Sequence, residues 1–216
     1  MSDGNPLQRT AQWFSERVGC LTASIAKDCI RLPKTGKKSQ TYRNLIDRLV
    51  TERLTGQPVS SAVGAAALWG EEHEDEARSA YEAATGEFVD LVGFVPHPDV
   101  KWLGASPDGL VGEDGLVEIK CPTTMTHVSR MTAGVVPDEV KPQMLVQLLC
   151  TGRKWVDFVD YDPRIKLEEG RLFIRRFEPS QDELDEALAA CVDCLNDVQE
   201  AVEAFVSIAK RAEVEA

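Results

Sequence analysis

The 216-residue sequence contains no apolar run approaching the ~18 residues that a membrane-spanning helix needs, so no membrane partner is expected. Its opening residues, MSDGNPLQRT, lack the basic-then-apolar layout of a secretory leader, and the expected setting is the cytoplasm. It has no internal repeat, low-complexity tract or long linker, which leaves a length suited to one domain. It also lacks the basic balance usual in nucleic-acid binders, because its net charge is −12 at pH 7. Six cysteines (Cys20, Cys29, Cys121, Cys150, Cys191 and Cys194) in a chain of this setting read as free thiols rather than disulfides.

What is present changes the meaning of the charge. Residues 1–60 hold ten Lys/Arg against five Asp/Glu, a balance of +5, and the remainder carries −17. Residues 178–216 alone have eleven acids and two bases. A split of this kind fits one face that meets an anion and another that stays away from it.

Periodicity places the elements. QRTAQWFSERVGC and TASIAKDCIRL read as two short helices, and TYRNLIDRLVTERLTG as an amphipathic helix stopped by Gly56. GAAALWGEEHEDEARSAYEAATG reads as a further helix ending at Gly86. EFVDLVGFV alternates as a strand, KWLGAS is a short one, and DGLVGEDGLVEIK is two β-runs around the turn GEDG. Two helices follow, the second starting after Pro137, and then strands KWVDFVDYD and RLFIRRFE. SQDE gives Ser180 and Glu183 the spacing of a capping box. Behind it Leu184, Leu188, Cys191, Leu195, Val198, Val202 and Phe205 form a heptad-like stripe, for packing on the same domain or on a partner.

The chemistry gathers in SPDGLVGEDGLVEIKCP, residues 106–122. Glu118 and Lys120, two apart on a strand, share a face, while Ile119 points to the other. A tight hairpin brings Asp108 beside Glu118. Two carboxylates meeting in a low-dielectric setting repel and do not both stay ionised without a cation. A hard divalent ion, magnesium or manganese, suits oxygen-only ligands. Lys120 is then placed to hold a water or to offset charge on a phosphate oxygen, a layout that fits metal-assisted phosphodiester hydrolysis. Taken alone, the short motif also fits exposed hairpin residues with a chance ion pair.

SPDG…VEIKCP resembles the PD-(D/E)XK nuclease signature, and the chain resembles the lambda exonuclease and YqaJ-type viral recombinase family. WFSERVGCLTAS, LWGEEHEDEAR, QMLVQLLCTG and FVDYDPR are similar to further blocks of that family in the same order, from about residue 13 to 164. The resemblance implies an α/β, restriction-endonuclease-like core with a central mixed sheet flanked by helices. The parts would be an N-terminal helical DNA-end-binding region (about 1–60), a catalytic core (about 61–178) and an acidic C-terminal helix (about 180–210).

It further implies that Asp108, Glu118 and the Ile119 carbonyl hold Mg2+ (or Mn2+), that Lys120 is the catalytic lysine, and that Glu74 and Gln143 assist. Arg17, Ser24, Lys34 and Ser106 would grip a 5′-phosphate. Lys34 stands where the best-known member has arginine, so the planar fork is lost there, and Val140 stands where it has tyrosine. Arg9, outside the matched blocks, is expected to matter little. The implied activity is 5′-to-3′ exonucleolysis of duplex DNA in a phage or prophage recombination system in a bacterial host. It would release mononucleotides and leave a 3′ strand, with a trimeric ring around DNA and a single-strand annealing protein as partner.

Three rivals stand beside it. One is a non-catalytic DNA-binding scaffold, and another a restriction-like endonuclease of the same fold. The third, a related nuclease with an iron–sulfur cluster, needs one more late cysteine than Cys191 and Cys194 supply.

Overall fold

The computed structural model describes residues 8–30, 38–59 and 64–214. Along them run α1 (Ala11–Arg17), β1 (Leu21–Thr22), a 3-10 turn at Ala23–Ile25, α2 (Lys27–Ile30), α3 (Gln40–Thr55) and α4 (Ala65–Thr85). The sheet region follows with β2 (Val89–Asp90), β3 (Val95–Pro96), β4 (Leu103–Ala105), β5 (Gly109–Val111) and β6 (Gly115–Lys120). Then come α5 (Thr124–Ala133), α6 (Lys141–Thr151), β7 (Trp155–Tyr161), β8 (Leu172–Phe177) and α7 (Gln181–Val214).

A five-stranded sheet has the order β2-β5-β6-β7-β8, with β6 and β7 parallel and the other neighbours antiparallel. This is the mixed sheet the sequence led us to expect. A strand covered on both faces cannot alternate apolar and polar residues, which is why β6 reads GLVEIK with all but the last residue buried. Its odd-numbered Val117 and Ile119 pack with Ala77 and Tyr81 of α4. Its even-numbered Leu116 faces Met144, Leu145 and Leu148 of α6. A second small sheet, β1-β4-β3, joins β1 to β4 in parallel register, Thr22 opposite Gly104.

The third apolar cluster ties both ends of the chain together. Leu21, Tyr42, Leu45 and Leu49 from the N-terminal part meet Cys191, Cys194, Leu195 and Val198 of α7. The stripe on α7 therefore packs on its own chain as far as Val202, and Cys191 and Cys194 are packing residues at zero exposure. Phe205, the last member, is 56% exposed. The capping box forms as its spacing requires: the Glu183 N–H donates to Ser180 Oγ (3.3 Å), and the Ser180 N–H donates to Glu183 Oε2 (2.9 Å). Among the described residues no helix is long and apolar enough to cross a membrane.

Three expectations are corrected. EFVDLVGFV is not one strand, because Val89–Asp90 pairs with β5 in the large sheet and Val95–Pro96 with β4 in the small one. TASIAKDCIRL is not one helix, since its first turn is 3-10 and Leu21–Thr22 before it are drawn into β1. Pro137 lies in the turn before α6, its carbonyl accepting from the Val140 N–H (3.0 Å), and Pro142 is the proline of the first helical turn.

Gly104 fixes the approach to the segment that follows β4. A Cβ there would lie 2.1 Å from Cζ of the buried Phe94 ring, which covers the strand. Gly104→Ala should therefore destabilise the fold by about 1–3 kcal/mol in chemical denaturation, the size of an overpacked core site. An unchanged midpoint would show that the ring can move aside freely.

Candidate active site

The β5–β6 hairpin sets the first pair of groups. Gly109 is opposite Val117, so Asp108, one residue earlier, comes across from Glu118. Asp108 Oδ2 accepts the Ile119 N–H at 2.7 Å, which fixes the carboxylate at the end of the strand. Glu118 and Lys120 point to the α6 side. There Gln147 Nε2 donates to Glu118 Oε2 at 2.5 Å, and Lys120 Nζ donates to Gln143 Oε1 at 3.4 Å. Gln143 and Gln147, four residues apart on α6, share the face that covers these charges.

Glu118 is completely buried. Its Oε1 lies 2.5 Å from Lys120 Nζ, a short charge-assisted contact. Asp108 is held well above the usual carboxylate range, first by its burial and then by the negative charge of Glu118. Burial works to lower Lys120, but Glu118 and Asp108 outweigh it and raise the ammonium above its ordinary value. The ammonium therefore stays charged, as the resident counter-ion of Glu118.

α4 adds Glu74, which reaches the same place from the opposite face of the sheet. A cleft of about 420 Å³ is lined by Arg9, Glu74, Asp108, Ile119, Lys120 and Arg130, among others. Among the described residues no three His, Cys, Asp or Glu side chains converge on one point. Asp108 and Ile119 line the cleft, and Glu118, fully buried, lies across the hairpin from Asp108. A fully buried carboxylate with one neighbouring cation, beside a second acid that resists ionisation, is what a hard divalent ion would relieve. The residues fit Mg2+ or Mn2+.

A second group sits two residues upstream of Asp108. Trp13 Nε1 and Arg17 Nη1 both donate to Ser106 Oγ, at 2.9 and 2.8 Å, and the Arg17 guanidinium lies 4.0 Å over the Trp13 ring. Burial lowers the Arg17 pKa to about 10, leaving it charged at neutral pH. Ser24 is exposed on its 3-10 turn, 3.3 Å from Thr22 Oγ1, and the pairing of Thr22 with Gly104 keeps that turn beside the β4 end that leads to Ser106. Lys34 lies outside the described residues.

The sequence reading missed four features. Gln147 is one; a glutamine inside the apolar run MLVQLLC was the available signal. The second is Trp13 as a donor. The third is a buried set on β7: His127 Nδ1 is 2.5 Å from Asp160 Oδ1, and Arg130 Nη1 donates to Asp160 Oδ2 at 2.7 Å. Acids inside the strand WVDFVDYD pointed to such partners. The fourth corrects an expectation: Arg9 is in the cleft, where Nη2 donates to Glu74 Oε2 at 2.8 Å. Nothing periodic marked it.

Residues 12–154 match the model of the YqaJ-like viral recombinase domain. The structure of LHK-Exo in complex with dAMP is similar at 37% identity and a TM-score of 0.87, covering 94% of this chain and 100% of that one. A second structure of that alkaline exonuclease, from Laribacter hongkongensis, aligns over the same shares at 36% identity and a TM-score of 0.86. A phage-related exonuclease from Haemophilus somnus 129PT shares the fold at 12% identity and a TM-score of 0.65, over 86% of this chain and 96% of that one. No curated protein matches the chain.

The carboxylate pair has a measurable consequence. In the unfolded chain Asp108 releases its proton near its ordinary value of 3.8, whereas in the metal-free fold it holds the proton to a much higher pH. The folded state therefore binds more protons in that window, and its stability falls as pH rises through it. Tm measured against pH in EDTA should drop more steeply for the wild type than for Asp108→Asn. Saturating Mg2+ should flatten the wild-type curve. Equal slopes in all three would contradict the repulsion.

Proposed function

The chain belongs to the YqaJ-like viral recombinase domain family, and from that premise we propose that it is a metal-dependent DNA exonuclease of phage type, degrading duplex DNA from the 5′ end. The observation that carries the reading is the buried Glu118 beside Asp108, with the Lys120 ammonium held against them. The similar LHK-Exo is described as an alkaline exonuclease and binds dAMP, a mononucleotide of the kind such a reaction would release.

Each residue's part follows from its place. Asp108, Glu118 and the Ile119 carbonyl would hold Mg2+, with Mn2+ as a substitute; the ion supplies a Lewis acid for the phosphodiester and activates water. Lys120, charged and fixed between Glu118 and Gln143, offsets negative charge on the phosphate oxygens as the bond to the leaving group breaks. Gln147 holds the buried Glu118 in one orientation. Glu74 orients water at the mouth of the cleft. Arg17, Ser24, Ser106 and Lys34 would take the terminal 5′-phosphate, Arg17 by charge-assisted bonds from a guanidinium already anchored on Ser106. The basic N-terminal part and the acidic α7 support a ring, a trimer in our reading, with DNA inside and acids outside. Its 3′-strand product would pass to a single-strand annealing protein.

The test is digestion of linear duplex in Mg2+, with label at the 5′ or the 3′ end and closed circular DNA as a third substrate. Early release of 5′ label, persistence of 3′ label and intact circles are expected; cutting of circles would favour a restriction-like endonuclease. Ends carrying a 5′-phosphate should be digested faster than 5′-hydroxyl ends. A charge-assisted bond is worth roughly 1.5–3 kcal/mol, so Arg17→Ala should reduce that preference about tenfold or more. Lys154→Ala, at the far end of the sheet on an exposed pair with Asp114, is the control and should leave it unchanged. Equal rates on both kinds of end in the wild type would reject the pocket.

A further inference from the structure

Arg9 is one of two non-glycine residues in the left-handed region among those described, with φ at 68°. Side chains avoid that conformation unless their surroundings hold them in it. The residues on either side do so. Gln8 Nε2 donates to the Pro107 and Val92 carbonyls at 2.7 and 3.2 Å, and Thr10 Oγ1 accepts the Trp13 N–H to cap α1. The strained backbone delivers the guanidinium to two acids of α4, 2.8 Å from Glu74 Oε2 and 3.4 Å from Glu71 Oε1. Arg9, Glu74 and Asp108 line both the main cleft and an adjoining cavity of about 210 Å³, so the side chain stands at their boundary.

Two acids of the site thus have a resident cation: Glu118 has Lys120 and Glu74 has Arg9. We propose that Arg9 is a positioning residue that holds Glu74 while no divalent ion is bound and competes with that ion for the charge of Glu74, which reaches the ion across the cleft through the water Glu74 orients. The inference rests on the metal-site reading above. A guanidinium and a divalent ion attracted to the same carboxylate repel one another, so the free energy of the Arg9–Glu74 pair is subtracted from that of metal binding. Removing Arg9 should then strengthen metal binding, the reverse of what loss of a merely structural contact would do.

The experiment is a calorimetric titration of the full-length chain with Mn2+, without DNA. Arg9→Gln should bind Mn2+ about two- to fivefold tighter than wild type, the size of a partly exposed ion pair. Arg9→Lys, which keeps the charge, should stay near wild type. In a Glu74→Gln background, Arg9→Gln should change affinity less, because the pair is already broken. Unchanged or weaker binding by Arg9→Gln, or the same tightening without Glu74, would overturn the inference alone. Full Mn2+ affinity in Asp108→Asn would overturn the metal site and this inference with it.

Discussion

The structure depends on placing one carboxylate, Glu118, at zero exposure in the middle of a sheet covered by helices on both faces. Taking a carboxylate out of water costs several kcal/mol unless charge and hydrogen bonds compensate. Two elements serve that need: α6 brings Gln147 as donor, and β6 itself brings Lys120 two residues on. The hairpin instead brings a second acid, Asp108, held by the Ile119 N–H. The repulsion between Asp108 and Glu118 is what, in our proposal, a divalent ion would relieve. An ordinary core would bury Leu or Val at 118 and need none of these partners.

A second layer holds the first in place. Parallel pairing sets Lys120 opposite Asp160, and Asp160 anchors Arg130 and His127 of α5. The Arg130 guanidinium thereby lines the same cleft as Lys120 and Arg9, so two of its three cations come from β6 and α5, elements that Asp160 joins. On the other side Asp157 binds Tyr81 of α4 and Arg176 of β8, fixing the helix that carries Glu74. The group of Trp13, Arg17 and Ser106 rests on the small sheet, where Phe94 over Gly104 and the β1–β4 pairing set Ser106 relative to Arg17.

Long periodic segments were legible: α3, α4 and α7 begin and end close to where caps and glycines indicated, and Ser180 and Glu183 form their reciprocal bonds. Asp108, Glu118 and Lys120 were legible because charges in a buried β-run have no packing role. Short edge strands were not. Val89–Asp90 and Val95–Pro96 gain their state from different partners, which local alternation does not encode. Gln147 and Arg9 were missed for different reasons. The first looked like an ordinary helical glutamine until the helix lay over Glu118; the second acts through a backbone conformation, φ 68°, that side-chain patterns do not signal.

The central claim is that Asp108 and Glu118 form an acid pair completed by a divalent ion. Crystals grown with Mn2+ and measured for anomalous scattering test it most directly. The account predicts one strong manganese peak within coordination distance of Asp108, Glu118 and the Ile119 carbonyl, lost in Asp108→Asn. A fully occupied peak elsewhere, or none at a manganese concentration that supports cleavage, would contradict it.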